Sequence, residues 1–465
     1  MSWKTDYEGT DELKYFTELT QVPRPSRHLD RIREYLVDFA KAHGLEYEID
    51  EAGNVLIRRK GTSGKTIVLQ GHIDIVATVT PGHSFDFVNS PLDVYIENGW
   101  MHARNTTLGA DDGGGLALML CALTDPGMAS ADLECLFTVD EEIGLIGAAR
   151  MKENWVSGKY LINLDNEDVN EITIGSAGST DIEAAFGYSR KEDSGKFYRL
   201  DIEGLRGGHS AIEIDKKRGN AILLAAGFMK KLKGVRIASF TGGSAPNVIP
   251  MTSSVVFSVP AGYDIGPIFE QYSSDCILTM DEPGFVMSLV GSDSQDTWSA
   301  QDTGDYLDAI LTCPNGAMDT DEYGVKTSSN IGVVEDTCKV IIKPRSSDIV
   351  VLRELVSKIR AIFQNAGADV PVPEIFPAWR ESEDCHLVKK AVEIYKEYFG
   401  RNPIVTITHG GLESSTIKDK CPGMEAIAIG PTIHGAHTPD ECMDLRTLTE
   451  MKGYLFELIR ELSSE

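Results

Sequence analysis

The chain has 465 residues, 42% hydrophobic and 25% charged, an ordinary globular mixture with length enough for two or three domains. Against 71 Asp and Glu stand 44 Lys and Arg, and the net charge of −27 repels phosphate backbones and anionic lipid surfaces, which excludes nucleic acid and membrane as first partners. No run reaches the roughly 18 apolar residues of a membrane span, "MSWKTDYEGTDELKYFTEL" holds no apolar segment of signal-peptide length, and the eight scattered cysteines form no CxxC pair. A cytoplasmic protein with reduced thiols is expected.

In chain order, "DRIREYLVDFAKAHG" spaces its apolar residues as a helix does and stops at Gly44. "EYEIDEAGNVLIRRKG" reads as a hairpin about the turn "EAGN". The strand-like runs "KTIVLQGHIDIV", "ADLECLFTV" and "KYLINLD" follow, the first two separated by a glycine-rich opening into the helical "GLALMLCALTD". Strands alternating with helices, each run ending in polar residues, predict an α/β fold with a largely parallel central sheet and a site at the strand C-terminal ends. From about residue 187 the texture changes to a strand ("KFYRLDIEG"), a long helix within "NAILLAAGFMKKLKGVRIASF", β-rich pieces up to "VEDTCKVIIKPRSS" and the helix "VLRELVSKIRAIFQNAG". That is the pattern of an α+β insertion with helices on one face of an antiparallel sheet. The predicted organisation is one domain over 1–186 and 383–465, closing in the helix "RTLTEMKGYLFELIRELSSE", interrupted by an inserted domain over 187–382.

Five pieces bring ligand-type side chains to the ends of apolar runs or into polar loops: "GHIDIV" (His72, Asp74), "GADDGGG" (Asp111, Asp112), "DEE" (Asp140, Glu141, Glu142), "NLDNED" (Asp165, Glu167, Asp168) and "HGAHTPDE" (His434, His437). Imidazole and carboxylate without thiolate suit zinc, manganese or cobalt. Residues two apart on a strand share a face, so Asp74 can stand beside His72 and orient its ring. Singly, each piece has a plainer reading: "GADDGGG" as a turn with carboxylates at a helix start, "NLDNED" as a solvated acidic loop. Their joint occurrence in a consistent α/β order carries the case.

Together with "GLRGGHSAIEIDKKRGNA", "GGSAPNVIP", "RSS" and "IGPTIHGAHTPDE", these motifs resemble, nearly end to end, the aminoacyl-histidine dipeptidases (Xaa-His dipeptidases, carnosinase-like) of the two-metal aminoacylase and carboxypeptidase superfamily. The resemblance implies a zinc-peptidase-like catalytic domain with an inserted lid, two divalent metal ions per subunit (zinc first, manganese or cobalt as alternatives), a dipeptide substrate and a homodimer. His72, Asp111 and Asp165 would hold one ion; Asp111, Glu142 and His437 the other. Asp74 would lie behind His72, and Glu141 would be the general base toward water. In the lid, His209 would stabilise the oxyanion, while Asn247, Asn330 and Arg345 would contact substrate, an arginine being a natural partner for a C-terminal carboxylate. Glu413 in "THGGLESST" is implied on the substrate side. The chain departs from the family at Asp112, where relatives usually carry Asn, and at Ser414–Thr416, where the pattern is nearer HAGLECG. A broader di- or tripeptidase and an N-acyl amino acid deacylase are the alternative activities. A metal-free scaffold is opposed by the correct residue type at every ligand position and at Glu141.

Overall fold

The structure, a computed structural model, describes residues 9–464; residues 1–8, part of the stretch in which no leader is read, lie outside the described residues. The chain divides into two units. The first comprises the residues up to Ser176, Trp379–Ile407 and those from Leu412 onward; the second comprises Ala177–Ala378 with Thr408–Gly411.

At the centre of the first unit lies β1 (Thr66–His72), parallel to β2 (Asp132–Thr138) on one side and to β3 (Tyr160–Asn163) on the other, with β4 (Glu425–Ala428) parallel beyond β3. These strands are near-continuous apolar runs, as strands covered on both faces require, and β1 and β2 are buried along all but their first residue. The sheet is parallel only at its centre. Val55–Arg59 and Glu46–Ile49 flank β2 as an antiparallel hairpin, and Glu171–Ser176 with Trp379–Arg380 close the other edge antiparallel. The hairpin turns where the sequence places it, Asp50 accepting the N–H groups of Gly53 and Asn54 at 2.9 Å each. Between β1 and β2 runs α1 (Ala110–Thr124), buried from Ala110 through Leu123, so it is apolar on all sides rather than amphipathic. Register sets up the site: His72 pairs opposite Thr138 and Gln70 opposite Asn163, so the loops after β1, β2 and β3 leave from one edge.

A small antiparallel sheet was not anticipated. Val94–Glu97, Trp100–Ala103, Cys442–Asp444 and Ile433–His434 form it, and the loop carrying His437 joins its last two members. Strands of two to four residues are too short for an alternation pattern to register.

In the second unit a ten-stranded sheet includes Lys196–Glu203, Arg236–Gly242, Ser253–Val259, Gly324–Glu335 and Lys339–Ser346. Helices Ala221–Lys230, Ala300–Thr312 and Ile349–Asn365 share one core with Phe240, Phe257, Ile331 and Ile342 of that sheet. Ile182–Phe186 already belongs to it, antiparallel to Lys339–Ser346, so this unit begins at Ala177 where the sequence reading set 187. The stretch read as β-rich pieces also contains two helices, Gly266–Thr279 and Ala300–Thr312. The first opens with Pro267 in its first turn, and Ser299 caps the second by accepting the Asp302 N–H at 3.0 Å. All eight cysteines are free thiols. Among the described residues no helix is long and apolar enough to cross a membrane.

Glu12, fully buried on helix Asp11–Thr20, accepts from Thr449 Oγ1 at 2.8 Å and from Lys452 Nζ, joining the first helix to the last, Leu445–Ser464. Burial raises its pKa, but the bonds to Lys452 and Thr449 outweigh this and hold the carboxyl below its ordinary range. A depressed pKa stabilises the fold above the unfolded-state value and loses that effect as pH falls through the folded one. Glu12→Gln is therefore expected to cost about 1–3 kcal/mol near neutrality, read from urea unfolding, with the gap to the parent narrowing below a pH of about 4.

Candidate metal centre

His72 is the last residue of β1 and is 1% exposed; its Nε2 lies 2.9 Å from Asp111 Oδ1 and 3.7 Å from Asp165 Oδ1. His437 Nε2 lies 3.0 Å from the other oxygen of Asp111 and 2.9 Å from Glu142 Oε2. Asp111 thus presents one oxygen to each imidazole. Two triads result, His72–Asp111–Asp165 and Asp111–Glu142–His437, in each of which the donor atoms lie within 4.8 Å of one another; His72, Glu141 and Glu142 form a third such group. The structure therefore brings the five ligand-type residues and Glu141 together at the C-terminal ends of β1, β2 and β3.

Local backbone chemistry explains the convergence. Beyond β2 the chain turns sharply at Asp140 (φ +52°), and the Asp140 carboxylate accepts the N–H of Arg27 at 2.6 Å. The turn closes through Leu145 N–H to Glu141 O at 2.8 Å and Gly147 N–H to Val139 O at 2.9 Å. Asp74, with no solvent exposure, accepts from Ser26 Oγ at 2.8 Å and from the N–H groups of Glu141 and Glu142 at 3.0 and 3.3 Å. Its Oδ1 lies 3.5 Å from His72 Nδ1, while the Asp74 carbonyl oxygen lies nearer at 3.2 Å. Asp74 therefore touches both the imidazole and the turn that carries the glutamates. Asp165 stands two residues beyond β3, its N–H donating to Asn163 Oδ1 at 3.2 Å.

The electrostatics are those of too much negative charge in too little water. Burial raises the pKa values of Asp112, Glu141, Glu142 and Asp165, and neighbouring carboxylates add to the rise in each. Asp111 goes the other way: burial would raise it, but His437 and His72 hold it well below the usual range. Burial would lower His72, yet Asp165 and Asp111 drive it well up, and Asp111 and Glu142 push His437 to about 11. Two imidazolium charges and the buried Arg24 guanidinium cannot offset carboxylates at Asp74, Asp111, Asp112, Glu141, Glu142 and Asp165, whereas divalent cations can. Glu142 Oε1 is buried without a hydrogen-bond partner. An oxygen left unpaired beside a mixed imidazole and carboxylate set fits a zinc-, manganese- or cobalt-type ion.

Beneath the strand ends Glu413 is fully buried, accepting from Gln70 Nε2 at 2.6 Å and Thr138 Oγ1 at 2.5 Å, and Asn163 Nδ2 donates to Gln70 Oε1 at 2.7 Å. Burial raises its pKa to about 7. His434 is apart from the triads, exposed, with its ring 4.8 Å from that of Trp100.

The other residues singled out in the sequence lie in the second unit. His209 forms a β-bridge with Val248 and donates its N–H to Glu213 Oε2 at 3.0 Å; the N–H of Ser210 donates to Asn247 O at 2.8 Å. Asn330 Nδ2 donates to Pro246 O and Val248 O at 2.9 and 2.8 Å, so one network ties the His209 turn, the Asn247 turn and strand Gly324–Glu335. Arg345 is buried, its Nε has no hydrogen-bond partner, and burial lowers its pKa to about 10. His409 was not singled out from the sequence, although it sits in "THGGLESST". Its Nε2 lies 2.7 Å from Ser328 Oγ, and Ser328 pairs directly opposite Arg345, which puts the two side chains on one face of the sheet. Burial, and then Arg345, lower His409 to about 4, so it is neutral at physiological pH.

Fold and donor set together are those of a metal-dependent hydrolase. Residues 68–461 match the peptidase family M20/M25/M40, and the chain belongs to that family. It is 31% identical over 472 aligned positions, 97% of each chain, to the cytosol non-specific dipeptidase of Escherichia coli. Its structure is similar to that of the aminoacylhistidine dipeptidase of Vibrio alginolyticus, with a TM-score of 0.86, 28% identity and coverage of 99% of this chain and 98% of that one. A tripeptidase from Staphylococcus aureus shares the fold at a TM-score of 0.59 and 19% identity, over 98% of both chains.

Removing one imidazole should separate the two triads. Zinc titration of the metal-free protein against a chromophoric chelator is expected to resolve two sites in the parent and one strong site in His437→Ala; two sites of parental affinity in the variant would refute the assignment of His437.

Proposed function

We propose that the chain is a two-metal dipeptidase that hydrolyses unprotected dipeptides, Xaa-His first, with zinc as the ion of the two triads. The observation that carries this reading is the division of Asp111 between two imidazoles, each in its own carboxylate-bearing triad. His72, Asp111 and Asp165 would hold one divalent ion and Asp111, Glu142 and His437 the other, and such ions would supply a lowered water pKa and a sink for negative charge on the carbonyl oxygen. Glu141 takes the proton of the attacking water and returns it to the leaving amine nitrogen. Asp74 keeps Glu141 and His72 in mutual register through the contacts described above. His209 donates to the developing oxyanion, Asn247 and Asn330 shape the substrate site, and Arg345 pairs with the C-terminal carboxylate, which its unpaired Nε supports. Glu413, fully buried, serves the substrate side indirectly through Gln70 and Thr138. The similarity to an aminoacylhistidine dipeptidase at a TM-score of 0.86 supports the His preference, and the E. coli relative's description as cytosolic supports a cytoplasmic location. A homodimer completes the reading and is checked by light scattering.

The name of the E. coli relative, a non-specific dipeptidase, favours a second reading of broader di- and tripeptide cleavage with the same metals. Comparing kcat/KM over Xaa-His, Xaa-Leu and N-acyl amino acid substrates decides: a clear maximum on Xaa-His supports the first reading, and equal values across the dipeptides support the second.

Glu141→Gln is expected to keep both ions while turnover falls about 10²–10⁴-fold, measured as kcat beside the metal content; near-normal kcat would remove Glu141 from the role of base. Arg345→Met should lower kcat/KM for dipeptides with a free carboxylate about 10–100-fold and change that for C-terminal amides far less.

A further inference from the structure

Glu441 closes the motif "HGAHTPDE" four residues after His437, and neither the sequence reading nor the reaction uses it. It is 2% exposed, and its two oxygens accept four consecutive backbone N–H groups: Oε2 from Leu108 and Gly109 at 2.8 and 2.9 Å, Oε1 from Ala110 and Asp111 at 2.7 and 3.2 Å. The same turn is held from its carbonyl side. Arg24, itself 2% exposed, donates from Nη2 to Gly109 O at 2.6 Å and from Nη1 to Ile73 O and Asp74 O at 3.1 and 3.4 Å. The turn needs such a grip because its backbone is irregular. Gly109 lies at φ +68°, and Asp111 (ψ 108°) and Asp112 (φ −104°, ψ 34°) depart from helical geometry although they stand in the first turn of α1. A Cβ at Gly109 would meet Ile75 Cγ2 at 2.6 Å and Arg24 Nη2 at 3.1 Å, so there is little slack.

We propose that Glu441 and Arg24 are positioning residues that fix the backbone of residues 108–111, so that Asp111 keeps one oxygen toward His72 and the other toward His437. The inference rests on the reading above that Asp111 is shared between two ions. A carboxylate suits the task because it is acceptor-only and satisfies four N–H groups; a glutamine of the same shape turns an NH2 toward two of them. Glu441 also sits on the loop of His437, so one residue couples the position of the shared aspartate to that of the distal imidazole.

The test is metal binding to the intact protein, with turnover as a second reading. Metal-free parent and Glu441→Gln are titrated with Co²⁺, and the visible absorption of the bound ion is followed. The parent is expected to bind two equivalents, and the variant to bind with about 10–100-fold weaker affinity and an altered spectrum. In the reloaded variant kcat falls while KM stays near the parental value, since the substrate groups are untouched. A folded Glu441→Gln that binds both ions with parental affinity and spectrum overturns the proposal. Should that variant fail to fold, Arg24→Lys, which keeps the charge but loses the second nitrogen, makes the same comparison, and parental affinity in it is likewise fatal. If the parent itself binds a single equivalent, the two-ion reading falls, and the clamp is then judged on the affinity of that one ion.

Discussion

Everything in the first unit depends on gathering carboxylates where water is scarce. An isolated buried carboxylate is expensive, and several within a few ångströms of each other are more so. The fold accepts this at one place, the C-terminal edge of β1, β2 and β3, because register puts His72 opposite Thr138 and sends the acidic loops out side by side. The opposite responses of the group are the signature of the constraint: Asp111, between two imidazoles, is held acidic, while Asp112, Glu141, Glu142 and Asp165 are driven toward the protonated form. Such a cluster is stable as a fully ionised set only with concentrated positive charge in its midst, and that requirement makes it chemistry rather than surface.

The three consecutive acids of "DEE" show how one turn separates roles. Asp140 gives its carboxylate to the Arg27 N–H and its positive φ to the bend. Asp74 then takes the N–H groups of both glutamates, leaving their side chains for the site. Glu142 reaches His437, and Glu141 stands in the group with His72. Neighbours in sequence reach different partners because the backbone between them is pinned, not because the side chains select.

How much of this could be read in advance follows from the range of the interactions. The hairpin about "EAGN", the parallel strands ending in polar residues and the apolar helix of "GLALMLCALTD" rest on local pattern, and they lie where the pattern puts them. The ligand-type residues were visible because histidine and acid at the end of an apolar run are unusual enough to be noticed. What escaped has no local signal. The strands of the small sheet are two to four residues long. Helix Gly266–Thr279 packs Ile268, Phe269 and Tyr272 against the core but leaves Ile277 and Leu278 exposed, so its apolar residues do not mark out one face. Ile182–Phe186 belongs to the second unit only through a partner more than 150 residues further on. Arg24, His409 and Glu441 act through backbone atoms or through strands remote in sequence, and neither spacing nor composition encodes such contacts.

The manner in which the acids are held has a logic of its own. Asp74, Asp140 and Glu441 are anchored largely by backbone N–H groups, and Arg24, the buried guanidinium beside them, gives its hydrogens to the carbonyls of Ile73, Asp74 and Gly109. A lysine or arginine side chain reaching these carboxylates would hold them as well, but its charge would lie where it could also draw the neighbouring ligand carboxylates of Asp111, Glu142 and Asp165 away from an ion. Amide donors fix geometry without adding a charge, and the one guanidinium nearby spends its hydrogen bonds on carbonyls, not on the ligand oxygens. A chain with a net charge of −27 can therefore keep its acids in place and still leave Asp111, Glu142 and Asp165 to whatever positive charge enters the site.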